Sequence, residues 1–159
     1  MNKVLMSFLI TTLSVFAQEK QPASKNMFYM TMGSEMPLGE MYGLSKIDRM
    51  FSSVGIGVRY FVSPEHSFDV HTTLYHHPLV QATEAAIGYL YMPDFLGGMY
   101  MGGFFKTKNA INTWFDKYYH IGARGVVGYQ LPIASEKSSF LEVGLDNHRN
   151  LTVRSGLLF

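Results

Sequence analysis

The chain has 159 residues, 47% of them hydrophobic and 16% charged, with 15 Gly, 11 Met and no Cys. That length suits one domain, and the lack of cysteine excludes a disulfide scaffold, a Cys-based zinc site and a lipid-modified N-terminal Cys. A net charge of +1 argues against nucleic-acid binding, and 14% aromatics without a long polar tract argue against disorder.

Residues 1–17 read as an export signal. Lys3 supplies the positive start, and Val4 to Phe16 form an uncharged apolar run, shorter than the ~20 residues of a transmembrane helix. Val15 and Ala17 occupy the small-residue positions of a cleavage site, so the expected cut lies between Ala17 and Gln18. The remaining residues, 18–159, then form a single domain.

From there the pattern has period two, the signature of half-exposed strands. A weak opening strand from Asn26 to Gly33 sets Phe28, Met30 and Met32 against Tyr29, Thr31 and Gly33. Phe51 to Val62 sets Val54, Ile56, Val58 and Tyr60 against Ser53, Gly55, Gly57, Arg59 and Phe61. Phe68 to Tyr75 alternates Phe68, Val70, Thr72 and Leu74 with Asp69, His71, Thr73 and Tyr75. Glu84 to Tyr91 opposes Ala85, Ile87, Tyr89 and Tyr91 to Glu84, Ala86, Gly88 and Leu90. Met99, Met101 and Phe105 alternate with Tyr100, Gly102, Phe104 and Lys106. Tyr119 to Leu131, Leu141 to Asp146 and Leu151 to Phe159 continue the rhythm, giving eight strands.

An alternating sheet can turn its apolar face inward, as soluble barrels do, or outward to lipid, as membrane barrels do. The polar face decides. It is built mainly from Gly, Ser, Thr and Tyr with isolated charges, whereas a solvated surface would be rich in Lys and Glu. The apolar face carries no Asp, Glu, Lys or Arg, and an Arg facing lipid at mid-membrane costs ~2–4 kcal/mol. The expected fold is therefore all-β: an eight-stranded antiparallel up-and-down transmembrane β-barrel.

With the N-terminus on the periplasmic side, the short turns fall at Ser63 to His66, Pro93 to Phe95 and Pro132 to Lys137. The outer loops fall at Ser34 to Met50, His76 to Val80, Thr107 to Lys117 and Asn147 to Asn150. Tyr60, Phe68, Tyr91, Tyr129 and Phe159 are expected at the periplasmic rim, and Tyr75, Phe105 and Trp114 at the outer rim.

The export signal, the eight alternating strands and a last strand ending in Phe159 resemble the small bacterial outer-membrane barrels of the OmpA membrane-domain and OmpX type. The resemblance implies an outer-membrane location, contact with outer-membrane lipids and lipopolysaccharide, and a terminal strand read by the barrel-assembly machinery. Phe159, Leu157, Val153 and Leu151 match that terminal pattern, and Ser155 departs from it.

On the lumen face, Arg59, Arg124 and Arg154 stand against Asp69, Glu84, Glu142 and Asp146, with His71 and His120 near them. An eight-stranded barrel is wide enough only to be filled by side chains, so these charges are expected to form a plug of ion pairs, with Arg154–Glu142 and Arg59–Asp69 the adjacent-strand pairs. The alternative is a narrow charged pore. A lipid A-modifying hydrolase is a second alternative, resting on Ser52 and His76 near the outer rim with Glu40 or Asp48 in reach. A third is surface recognition through the loop 34–50, using Met36, Leu38, Met41, Tyr42 and Leu44. No cofactor is implied. No metal is assigned either, since the adjacent His76 and His77 point to opposite faces of a strand.

Overall fold

The structure, a computed structural model, describes residues 26–38, 50–78, 80–112, 117–134 and 137–159. The predicted export signal, Glu40, Asp48, the loop residues Met41, Tyr42 and Leu44, and Trp114 lie outside the described residues.

Eight strands are present: β1 (Asn26–Pro37), β2 (Phe51–Phe61), β3 (His66–His77), β4 (Val80–Tyr91), β5 (Met99–Asn112), β6 (Lys117–Ala134), β7 (Lys137–Asp146) and β8 (Asn150–Leu158). Each pairs antiparallel with the next, and β8 returns to β1 to close the barrel. Phe28 and Phe159 complete the seam, each main-chain N–H donating to the other's carbonyl at 3.0 and 2.9 Å. Closure pairs each strand on both sides through the barrel wall, the condition a sheet must meet inside a bilayer, while the start of β6, before Arg124, runs past the end of β7 and is laddered to β5 alone.

The stagger is read from the register. Partners followed from Asn26 run through Tyr60, Phe68, Tyr89, Gly103, Gly125, Leu145 and Leu151 and return to β1 at Met36, ten residues on. A shear of this size obliges the strands to tilt by roughly 35–45°. Both described chain ends and the turns after β2, β4 and β6 share one end of the barrel, called here the terminal end. The opposite end is the loop end.

Alternation settles which residues face in. Ile56, Val70, Ile87, Val127, Val143 and Leu157 are exposed on the outer wall, whereas Tyr29, Arg59, Asp69, Phe104, Arg124 and Glu142 are buried in the lumen. Four large lumen rings lie directly opposite glycine on a neighbouring strand: Tyr29 on Gly57, Phe104 on Gly88, Tyr100 on Gly128 and Phe140 on Gly156. Any Cβ at those glycines would run into the ring that covers it. Small residues on the wall thus make room for rings that span a narrow interior.

Several sequence-based boundaries need correction. β1 runs on to Pro37, so Ser34 to Pro37 belong to the wall and not to a loop. β5 reaches Asn112 and β6 begins at Lys117, so most of the predicted loop 107–117 belongs to strands, and 113–116 lie outside the described residues. Both extensions mix polar and apolar residues on the two faces, Met36 beside Ser34 and Ile111 beside Asn109, so the hydrophobic alternation fades there. The turn after β4 is longer than Pro93 to Phe95: it contains a short 3₁₀ turn (Asp94–Leu96) followed by Gly97 and Gly98, with φ of 57° and 95°, a backbone that glycine adopts at no steric cost. Pro132 lies in β6 beside a register shift between Pro132 and Ala134, where a residue without an N–H is tolerated. Tyr75 is not at the outer rim; it is 3% exposed and faces the lumen, as its parity in β3 requires. Phe105 falls in the middle of the lengthened β5 and not at a rim.

Candidate functional site

The lumen holds the chemistry. Asp69 on β3 is a hub: it accepts from the Tyr29 hydroxyl at 2.5 Å, from Arg59 Nε at 3.1 Å and from His71 Nδ1 at 3.0 Å. The Arg59 guanidinium also donates to Gln130 Oε1 at 3.1 Å. It lies 5.8, 5.0 and 5.2 Å from the ring centres of Tyr29, Tyr100 and Phe140. A guanidinium is the cation best suited to this site, because its flat face stacks on rings while its edge donates.

His71 joins this group to the next. Its Nε2 meets Arg124 Nη2 at 3.0 Å and Arg154 Nη1 at 2.8 Å, while the nearest carboxylate oxygen, of Glu84, is 3.9 Å away. Arginine can only donate, so Nε2 is the acceptor and the ring proton sits on Nδ1, toward Asp69. Glu142 takes Arg154 Nε at 2.9 Å and Nη2 on one oxygen, and the Tyr100 hydroxyl at 3.2 Å on the other.

Toward the loop end the pairing continues. Lys106 bridges Glu84 at 3.1 Å and Asp146 at 2.5 Å. Arg124 Nη1 stands 2.9 Å from Glu84 Oε1 as an ion pair, without the alignment of a hydrogen bond. Lys108 pairs with Glu35 and lies 4.1 Å from the centre of the Tyr75 ring. Asp146 also accepts the main-chain N–H of His148 and Asn150 at 2.9 and 2.8 Å, which ties the network to the last turn. Glu35 Oε2, Thr73 Oγ1, Tyr75 Oη and Arg124 Nε are buried without a hydrogen-bond partner among the described residues; polar atoms in such a chamber are ordinarily met by water.

All seven lumen residues singled out in the sequence, Arg59, Asp69, Glu84, Arg124, Glu142, Asp146 and Arg154, fall in this one network. Arg59 meets Asp69, and Arg154 meets Glu142. Sequence reasoning missed three charged members, besides the polar partners Tyr29, Tyr100 and Gln130. Lys106 had the right parity but was left out of the cluster, and Glu35 and Lys108 fell in segments read as loops. With them, five carboxylates (Glu35, Asp69, Glu84, Glu142, Asp146) face five cations (Arg59, Lys106, Lys108, Arg124, Arg154) among the described residues. His120 is not in the cluster: it is exposed at the loop end, its ring 5.3 Å from that of His148.

Below the charges lies an apolar floor. Met27, Phe61, Leu90, Phe140 and Leu158 pack together at the terminal end, with Leu90 and Leu158 0% exposed. The proposed nucleophile pair is not assembled: Ser52 and His76 are register partners, and the Ser52 hydroxyl donates to the main-chain carbonyl of His76 at 3.2 Å and not to its ring. Among the described residues no group of three or more His, Asp or Glu is arranged to hold a metal ion.

The fold defined by this register and closure is that of the small eight-stranded transmembrane β-barrels of bacterial outer membranes. The N-terminal β-barrel domain of Pseudomonas aeruginosa OprF superposes with a TM-score of 0.65 at 11% identity, covering 87% of this chain and 98% of that domain. Neisserial surface protein A gives 0.65 at 12% identity, over 86% of this chain and 98% of its own. A de novo designed transmembrane β-barrel gives 0.56 at 18% identity, over 89% and 98%. No protein-family model matches the chain, and no curated protein matches it in sequence.

Proposed function

We propose that the protein is an integral barrel of the bacterial outer membrane, with a lumen plugged by its own side chains and a structural or surface-interaction role. The observation that carries this reading is the set of five carboxylates and five cations paired in the lumen, whose side chains are at most 12% exposed, above a floor of packed apolar residues. Buried charges that satisfy one another hold their geometry, because freeing either partner leaves an uncompensated charge. Ions crossing such a lumen would have to displace pairs and then pass the floor. The outer wall meets lipid acyl chains, and Phe159, half exposed beside β1, serves as the terminal signal for the barrel-assembly machinery. An external partner would be met through the segment 34–50, whose residues 39–49 lie outside the described residues.

Purified protein in a planar bilayer tests the lumen: the proposal expects no single-channel steps from the wild type. Regular steps would replace the plug with a narrow pore. Fractionation of the expressing cells tests the location, with the folded protein expected alongside the outer membrane.

A further inference from the structure

The outer wall is not uniform. In the loop-end halves of β6 to β8 the outward wall carries the exposed apolar residues Ile121, Leu145 and Val153, with Tyr119 beside them. On β2 to β5 the same zone carries a patch of exposed polar side chains. Ser52, His76 and Gln81 form one cross-strand row, and Thr83 faces Asn109 in the next. These five line a groove of about 390 Å³, whose wall toward mid-barrel is Val54 and Leu74, both exposed, at 58% and 55%. The volume lies in the range of small-molecule sites.

We propose that this groove binds one outer-leaflet lipid with an uncharged sugar headgroup. Val54 and Leu74 take the start of an acyl chain, while Gln81, Thr83 and Asn109 exchange hydrogen bonds with sugar hydroxyls, since amides and hydroxyls both donate and accept. No Lys or Arg is among the described residues lining the groove, so these residues offer a phosphate no counter-charge. The sugar is therefore the favoured head. The inference rests on the membrane reading above and adds a site and a ligand class to it.

To test it, the full chain is refolded into phosphatidylcholine vesicles carrying either a diglucosyl diacylglycerol or phosphatidylglycerol. It is then extracted gently, and retained lipid is measured by native mass spectrometry. The wild type is expected to hold a single glycolipid in preference to phosphatidylglycerol. Thr83→Leu with Asn109→Leu is expected to hold about tenfold less, the effect of losing one or two hydrogen bonds. Ser155→Leu, on the far wall, should change nothing. Gln81→Ala, which adds no bulk and removes one of the proposed sugar contacts, provides a second lesion should the double variant fail to insert, with retention again expected to fall. Equal retention by wild type and groove variants, or equal retention of the two lipids, overturns the site. Gel mobility of unboiled samples scores insertion separately, so a chain that never enters the vesicles overturns the membrane reading itself.

Discussion

At the terminal end of the lumen, Met27, Phe61, Leu90, Phe140 and Leu158 fill the interior with apolar contacts, whereas in the middle and toward the loop end ten charged side chains do so. Both regions exclude bulk solvent, but they respond differently to damage. An apolar side chain that is shortened leaves a cavity, and its neighbours lose only contacts. A charge that is removed leaves its partner buried and unpaired, which costs more than the pair contributed. The contrast between a forgiving floor and an unforgiving network can be broken or sharpened by single substitutions.

The largest effect is expected at Arg154, which serves both Glu142 and His71. Arg154→Ala should destabilise the barrel by ~3–5 kcal/mol, seen as a lower temperature for loss of the compact unboiled band. Removing Glu142 as well should recover much of that loss in a double-mutant cycle of Arg154→Ala, Glu142→Leu and the two together. Additive losses would mean that the two charges are not coupled.

Leu158→Ala, in the floor, should cost ~2–5 kcal/mol by opening a cavity, toward the lower end if Leu90 and Phe61 relax into it. Urea unfolding in vesicles measures this directly. A loss exceeding that of Arg154→Ala would reverse the ranking of the two regions.

Gly128→Ala probes the ring layer between them. The new methyl group would meet the Tyr100 ring, and overpacking of this kind costs ~1–3 kcal/mol. Near-ultraviolet circular dichroism should change with it, as Tyr100 is moved off the wall. The smallest effect is a gain: Arg149, in the turn after β7, has φ of 62°, so Arg149→Gly should stabilise by ~0.5–1 kcal/mol in the same urea series.

Much of this architecture was legible in the sequence because strand parity is binary. Once Val54, Ile56 and Val58 are placed outside, Ser53, Gly57 and Arg59 must be inside, and the same logic assigns each strand. Strand ends were less legible. Ser34 to Pro37 and Thr107 to Asn112 continue the wall with mixed residues, polar Ser34 and Asn109 at outward parity and apolar Ala110 at inward parity, so the contrast between faces is lost. That is why Glu35 and Lys108, which pair with each other across the barrel, could not be found. Tyr75 was drawn to the rim by the general preference of aromatics for interfaces, although parity already turned it inward; local register outweighs composition there. The ring-over-glycine pairs need the register of two strands at once, which hairpin lengths in the sequence fix only to within a residue or two.

The central claim is that the apolar face meets hydrocarbon while the charges lie inside. The chain contains no cysteine, so single cysteines placed at Ile56, Val70 and Val143 can each carry one fluorophore without background labelling. With the protein folded in vesicles, all three labels should be quenched by nitroxides attached to lipid acyl chains and ignored by aqueous iodide. Strong iodide quenching with no response to the lipid-borne nitroxide at these positions would contradict the account.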